Sequence, residues 1–225
     1  MRWFLLFLCL AVSASAAQVP IYLRPGMRID TFNSATPATN PATIVLSTTQ
    51  RNDLIIVATN YDASGSTGVT DTAGLTWTKL VSVAYSAGAE YLDIWYAVST
   101  GLLSSDTISI SYASVSGEVL IQAFSVTGAK TSSPFNGTPG TFTYTGSTTG
   151  GASVTTTIPN AMIIGAFNQN TEASPTSGTG WHDIVSNTYC LVNFMTVGGV
   201  GTYTPQESPD NSDIWVNVAF AIAPG

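Results

Sequence analysis

The stretch DTAGLTWTKLVSV, from Asp71 to Val83, decides the fold because a later stretch repeats its form. That later stretch is SGTGWHDIVS, from Ser177 to Ser186. Both contain a glycine, then a tryptophan, then a polar break and a short apolar run. Such self-similarity indicates that one supersecondary unit is used twice.

Further matching segments flank both stretches in the same order. They pair NDLIIVATN (52–60) with NAMIIGAFNQN (160–170), EYLDIWYAVS (90–99) with CLVNFMTVG (190–198), and SGEVLIQAFSV (116–126) with SDIWVNVAFAI (212–222). The alignment sets Leu54 against Met162, Trp77 against Trp181 and Leu92 against Leu191. Four elements in one order favour a true repeat over the echoes that any β-protein shows.

The apolar runs predict an all-β fold. They are short and β-branched or alternate with period two, and no mature window shows a helical face. We predict one antiparallel double-sheet sandwich, jelly-roll-like, spanning 18–225. It is built from half-repeats at about 44–127 and 154–223, and the connector at about 128–153 packs across the sandwich.

The first residues, MRWFLLFLCLAVSASAAQ, have the form of an export signal. Arg2 precedes an apolar run, and small residues at Ala14 to Ala16 offer a cleavage site. The run is too short to span a bilayer, which needs about 20 residues. We therefore predict a signal peptide at 1–17, a secreted or cell-surface location and no membrane contact after cleavage. The alternative is a buried N-terminal strand or helix.

The charge balance is acidic and sparse. The chain has thirteen Asp and Glu and six Lys and Arg, which gives a formal net charge of −7. Charged residues make up 8% of the chain. Nucleic-acid binding needs clustered cations, so we predict no nucleic-acid partner. Ser, Thr, Gly and Asn supply the polarity instead, as is typical of an extracellular β-protein.

Residues 71–137 carry a resemblance to a known group of modules. DTAGLTWTK, WYAV, SSDTISISY and QAFSVTGAKTSSPFNG occur here in that order. This series resembles poorly characterised β-sandwich modules of bacteriophage and bacterial surface proteins, and residues 160–222 follow it more loosely. The resemblance implies a virion surface, tail or adhesive component, and no catalytic pattern comes with it. An export signal departs from the phage pattern, which leaves a cell-encoded relative as the alternative.

The candidates for catalysis are few, and we predict no enzyme and no catalytic residue. The only histidine is His182, beside Asp183. Neighbouring strand residues point to opposite faces, so this pair is poorly arranged for a Ser/His/Asp site. No G-x-S-x-G motif occurs. A hydrolase using two of the thirteen acids is the weakest hypothesis.

Calcium is the one cofactor that the sequence suggests. The segment PDNSD places Asp210 and Asp213 in a predicted loop, and calcium prefers such oxygen ligands. Turn formation explains the same residues equally well. We name these two acids as the candidate calcium ligands and predict no other cofactor.

Aromatic residues are the candidate ligand-binding groups. Tyr85, Trp95, Trp181 and His182 offer rings that could stack on a sugar, although core packing explains most aromatic residues of such a chain. We therefore predict an exported, non-enzymatic structural or adhesive surface module, associated with a virion or another extracellular assembly. Its predicted partners are copies of itself or other surface or virion proteins. The alternative function is a carbohydrate-binding module with glycans as partners.

Overall fold

The computed structural model describes residues 26–62, 65–85, 90–114, 119–145, 150–170, 174–208 and 214–225. Within these ranges the chain forms strands and no helix. The first half contains β1 (Arg28–Ala35), β2 (Ala42–Leu46), β3 (Asp53–Asp62), β4 (Ser66–Asp71), β5 (Thr78–Tyr85), β6 (Glu90–Ser99), β7 (Asp106–Tyr112) and β8 (Val119–Thr127). The second half contains β9 (Gly140–Thr145), β10 (Val154–Thr156), β11 (Ala161–Gln169), β12 (Thr176–Ser177), β13 (His182–Ser186), β14 (Cys190–Val197), β15 (Gly201–Tyr203), β16 (Glu207–Ser208) and β17 (Ile214–Ile222). None of the described residues forms a helix with the length and hydropathy that a membrane crossing requires.

Two five-stranded antiparallel sheets form the centre of the molecule. Sheet I has the order β1-β8-β3-β6-β5, and sheet II has the order β9-β17-β11-β14-β13. The face between them is a continuous apolar core that includes Ile56 and Phe124 from sheet I and Ile164 and Phe220 from sheet II. The predicted all-β antiparallel sandwich is confirmed.

Each central sheet also has a covered outer face. The sheet β2-β7-β4 lies over sheet I, and the two-stranded pieces β10-β15 and β12-β16 belong to the second half. A second apolar cluster, which includes Ile55, Trp95 and Ile108, fills the space outside sheet I. The outer layers explain why every residue of β11 is buried, on both faces of the strand. The double-sheet prediction did not include these layers.

The two halves share one strand order. Along each central sheet, β1, β8, β3, β6 and β5 correspond to β9, β17, β11, β14 and β13. The edge strands β5 and β13 even carry a register irregularity at matching places, between Lys79 and Val81 and between Asp183 and Val185. The first copy therefore begins with β1 rather than at residue 44, and the predicted connector contains β9, the counterpart of β1.

One predicted residue match is displaced by one position. Leu54 pairs with Val98, and its counterpart Met162 pairs with Thr196. This register sets Leu92 against Cys190 rather than Leu191. Leu92 faces the central core, whereas Leu191 faces outward, because a one-residue shift moves a side chain to the opposite face of a strand.

The halves meet in a reciprocal arrangement. Strand β1 of the first half lies against β13 of the second, and β9 of the second half lies against β5 of the first. Because β9 corresponds to β1 and β13 to β5, the two contacts are equivalent. An isologous dimer has contacts of this kind around a two-fold axis. Phe135 of the connector packs edge-on against Tyr96 of β6 and Phe220 of β17. Phe135 therefore contacts one aromatic residue of each central sheet.

Candidate functional site

An open depression lies on the second half, beside the edge strand β13. We call it the β13 depression. Its lining residues are Ser174, Pro175, Thr176, Ser177, Trp181, His182, Asp183 and Ser186. It thus contains two of the sequence-predicted binding residues, Trp181 and His182. The indole of Trp181 is mostly buried in an apolar cluster, whereas His182 is exposed.

Ser177 and Asp183 form a fixed polar pair in this depression. The Ser177 hydroxyl donates a hydrogen bond to Asp183 Oδ1 at 2.5 Å. The same hydroxyl accepts a hydrogen bond from Asn193 Nδ2 at 2.9 Å. Asn193 is fully buried on β14, so the two surface groups are held in place from below.

A buried carboxyl, Glu207, lies beneath this pair. Asn217 Nδ2 donates to Glu207 Oε2, and Asn217 Oδ1 accepts a hydrogen bond from the backbone N–H of Ala152. Burial raises the pKa of Glu207 to about 8, although hydrogen bonds from neighbouring amides oppose the shift. Glu207 is therefore mostly neutral at neutral pH and can donate a hydrogen bond.

Gly165 provides the space that this carboxyl occupies. Glu207 Oε1 and Asn193 Oδ1 both point at the Cα of Gly165, and a side-chain carbon there would overlap both oxygens. Neither oxygen has a hydrogen-bond donor among the described groups. A proton on Glu207 resolves this, because a neutral acid can donate to the Asn193 carbonyl oxygen.

The first half has an apolar layer at the same place. The register makes Val57, Trp95 and Ile121 the counterparts of Gly165, Asn193 and Asn217. All three first-half side chains belong to the apolar cluster outside sheet I. The polar layer therefore belongs to the second half and is not a property of the repeat.

The edge-strand residue also changes between the halves. Lys79 of β5 corresponds to Asp183 of β13. Lys79 Nζ donates to Ser66 O at 2.6 Å, pairs with Asp93 Oδ2 at 3.2 Å and lies 5.0 Å from the centre of the Trp95 ring. In the first half a cation covers an indole, whereas in the second half a carboxylate is presented to solvent.

The histidine of the depression is turned away from the serine–aspartate pair. The His182 ring packs against Phe194, with ring centres 5.5 Å apart. Asp183 instead bonds to Ser177 on the opposite face of β13. This geometry agrees with the expectation from strand alternation. The arrangement contains a serine, a histidine and an aspartate, but the serine donates to the aspartate and not to the histidine.

Two predicted binding residues do not offer a ring to a ligand. Tyr85 is 3% exposed and lies between the halves, where its hydroxyl donates to Asn60 Oδ1 at 3.1 Å and accepts from Asn168 Nδ2. Trp95 is 9% exposed, and its indole N–H donates to Ser66 Oγ at 2.7 Å. Their predicted stacking role is corrected to packing, because the opposing sheets cover both rings.

The predicted calcium ligands, Asp210 and Asp213, lie outside the described residues. Among the residues that are described, no group of three or more His, Cys, Asp or Glu side chains could hold a metal ion.

The residues that carry the sequence resemblance bond to one another. Asp71 accepts hydrogen bonds from the backbone N–H of Leu75 at 3.1 Å and from the Trp77 indole at 2.5 Å. Asp106 accepts from the Thr72 hydroxyl at 2.7 Å and from the backbone N–H of Ala73 at 2.9 Å. The two aspartates therefore fold the 71–77 loop back against the start of β7.

No family model, curated protein or solved structure matches this chain.

Proposed function

We propose that this protein is an exported, non-enzymatic structural or adhesive surface module that assembles with copies of itself or with other surface or virion proteins. The observation that carries the proposal is the bonding of the most distinctive residues to one another. The carboxylates of Asp71 and Asp106 accept hydrogen bonds from residues of the 71–77 loop. Carboxylates that are engaged in such hydrogen bonds stabilise the fold and are not free to act in catalysis.

The edges of the central sheets support assembly. Sheet I ends in the eight-residue strand β1, whose Phe32 is 59% exposed, and sheet II ends in β9, whose Tyr144 is 39% exposed. A sheet edge presents backbone groups that can pair with another strand, and an exposed aromatic side chain strengthens such a contact. Strand β1 is therefore the first surface to test.

Size-exclusion chromatography with light scattering tests this proposal, using wild type and Phe32→Lys over a range of concentrations. We expect wild type to form defined oligomers or filaments, and Phe32→Lys to shift toward the monomer because a charged edge residue opposes pairing. Val200→Lys is the matched control, since Val200 is 60% exposed but lies between β14 and β15, outside any strand. A wild-type protein that stays monomeric at every concentration would contradict the proposal.

Carbohydrate binding is a second candidate, favoured by the β13 depression. Sugar recognition uses fixed hydroxyl and carboxylate groups beside an aromatic surface. The Ser177–Asp183 pair, held by Asn193, provides such groups in a depression that Trp181 also lines. A glycan array probed with wild type and Asp183→Ala is the test. Binding that Asp183→Ala loses supports this candidate, and a blank array rejects it.

A further inference from the structure

The buried carboxylate of Asp53 lies in the first half, away from the β13 depression. Asp53 is the first residue of β3 and has no exposed surface. The sheet register pairs its neighbour Leu54 with Val126 of β8, and Val126 with Ile29 of β1. Asp53 therefore lies one strand away from Thr127 and two strands away from Asp30.

Neither oxygen of Asp53 has a hydrogen-bond donor among the described residues. The hydroxyls of Ser125 and Thr127 and the Asp30 carboxylate lie near enough to act on its charge. Neither hydroxyl forms a hydrogen bond to an Asp53 oxygen. A buried carboxylate without compensation is costly, so something must balance this charge.

Asp30 is held in place beside it. Its Oδ2 accepts a hydrogen bond from the backbone N–H of Thr49 at 2.7 Å, and its Oδ1 accepts one from the Thr49 hydroxyl. Asp30 is only partly buried, so it connects the buried Asp53 to solvent. Among the described residues the one ion pair is Lys79 with Asp93, and no basic side chain therefore neutralises the two acids.

Protonation compensates this pair only at acidic pH. Burial and the charge of Asp30 raise the pKa of Asp53 to about 6. Above that pH both carboxyl groups are ionised, and like charges so close together repel each other. The neighbouring side chains that act on Asp53 are the Asp30 carboxylate and the Ser125 and Thr127 hydroxyls, which all offer oxygen atoms.

We propose that Asp30 and Asp53 bind a calcium ion, with the Ser125 and Thr127 hydroxyls beside them and water completing the shell. Calcium prefers oxygen ligands and varied geometry, and two carboxylates neutralise its charge. The donor set contains no nitrogen or sulfur, which disfavours zinc and copper. The ion would link the edge strand β1, which carries Asp30, to β3, which carries Asp53. Thr49 would keep Asp30 in position for it. This site differs from Asp210 and Asp213, and it does not depend on the proposed assembly.

Equilibrium dialysis with radioactive calcium at pH 7.5 tests the stoichiometry. We expect one site that Asp53→Asn and Asp30→Asn each remove. Asp183→Asn is the control, because it removes an exposed carboxylate from the other half. Binding that survives in both variants but disappears in Asp210→Asn/Asp213→Asn would overturn the proposal and assign calcium to the 209–213 segment.

Thermal unfolding gives the second measurement. At calcium concentrations about a hundredfold above Kd, Tm should rise by about 5–10 °C over the EDTA-treated protein. Asp53→Asn should fold, because it removes the uncompensated charge at nearly constant shape, and its Tm should not respond to calcium. A wild-type Tm that ignores calcium and magnesium, but rises more steeply than that of Asp53→Asn as pH falls through 6, would show a shared proton instead and would overturn the metal site.

Discussion

The outer faces of the two central sheets have the same strand order but differ in chemistry at several matching positions. Sheet I presents Val57 and Trp95 to an apolar cluster. Sheet II presents Gly165 and Asn193 at the same register positions, where they surround the buried Glu207 carboxyl. The central faces of both sheets, in contrast, are mostly apolar in both halves.

This difference separates two requirements on a duplicated fold. The shared central core maintains the architecture, so both copies keep it. The outer face of the second copy replaces packing with polar groups: Glu207 lies beside Asn193, and hydrogen bonds lead from Asn193 through Ser177 to the exposed Asp183. A buried polar network of this kind takes the place of apolar packing that would stabilise the fold. Such departures from apolar packing occur mostly at functional sites. The outer face of the second half is therefore the better place to look for a carbohydrate ligand.

The largest effect should come from removing the indole of the first half. Trp95→Ala should lower the free energy of unfolding by about 4 kcal/mol, because it leaves a cavity and removes the partner of Ser66. The matched variant Asn193→Ala should cost about 2 kcal/mol, mainly by leaving polar neighbours without a bond. Urea unfolding of both variants measures the difference. An equal or reversed order would show that the first-half face is not the better packed one.

The pH dependence of stability should come next in size. Because the folded state raises the pKa of Glu207 from 4.5 to about 8, it binds the proton more tightly than the unfolded chain does. The stabilising contribution is therefore complete below pH 4.5 and is lost as the pH rises toward 8. Between pH 5.5 and 8 the loss should be about 3 kcal/mol.

Glu207→Gln tests the origin of this slope, since glutamine keeps a donor but does not titrate. The variant should lose most of the pH dependence in that range while wild type keeps it. Asp53 titrates lower and is unchanged in the variant, so its contribution cancels in the comparison. An identical slope in both proteins would exclude Glu207 as the source.

A smaller effect is expected where the second half has a glycine. Gly165→Ala should lower the free energy of unfolding by about 2 kcal/mol, because the added carbon overlaps Glu207 and Asn193. It should also lower the apparent pKa that governs the pH slope, since the displaced carboxyl gains contact with water. A Gly165→Ala protein as stable as wild type, with the same pH slope, would show that the carboxyl does not occupy this space.

The smallest effect concerns the surface pair. Ser177→Ala should cost about 1 kcal/mol, because it leaves Asn193 and Asp183 without their shared partner. Ser82→Ala on the exposed face of β5 is the control and should change stability by less than about 0.5 kcal/mol. Thermal unfolding of the two variants separates these values, and equal effects would mean that the hydroxyl of Ser177 supports nothing below it.

The strands that form the centre of each sheet were accessible from sequence alone. Strands β3, β8 and β11 are apolar runs bounded by polar residues, and the repeat located most of their counterparts. Strand β1 is mostly exposed, and its sequence, RIDTFNSA, carries little apolar signal. Edge strands pair on one side only, so their sequences alternate weakly between buried and exposed residues. For this reason the predicted half-repeat begins at about residue 44 and omits β1.

The register error at Leu92 has a different physical origin. Strands buried on both faces do not alternate between apolar and polar residues, so sequence matching can slip by one position without an obvious mismatch. The backbone pairing resolves it, because Asn60 pairs with Leu92 and Asn168 pairs with Cys190.

The candidate site was predicted only at its rim. Trp181 and His182 stood out by residue type and by the repeat, whereas Glu207 lies in a polar segment that gives no sign of burial. A usable signal did exist. Asn193 and Asn217 interrupt two apolar runs at positions where the first copy has Trp95 and Ile121, and a correct register would have placed them together.

The central claim is that a neutral Glu207 supports the polar layer of the second half. The chain contains four glutamates, so selective ¹³C labelling of glutamate gives four side-chain carboxyl signals, and Glu207→Gln identifies the one that belongs to Glu207. A pH titration followed by NMR should show this signal titrating with a pKa of about 8. A Glu207 signal that titrates near 4.5, the ordinary value for glutamate, would contradict the account.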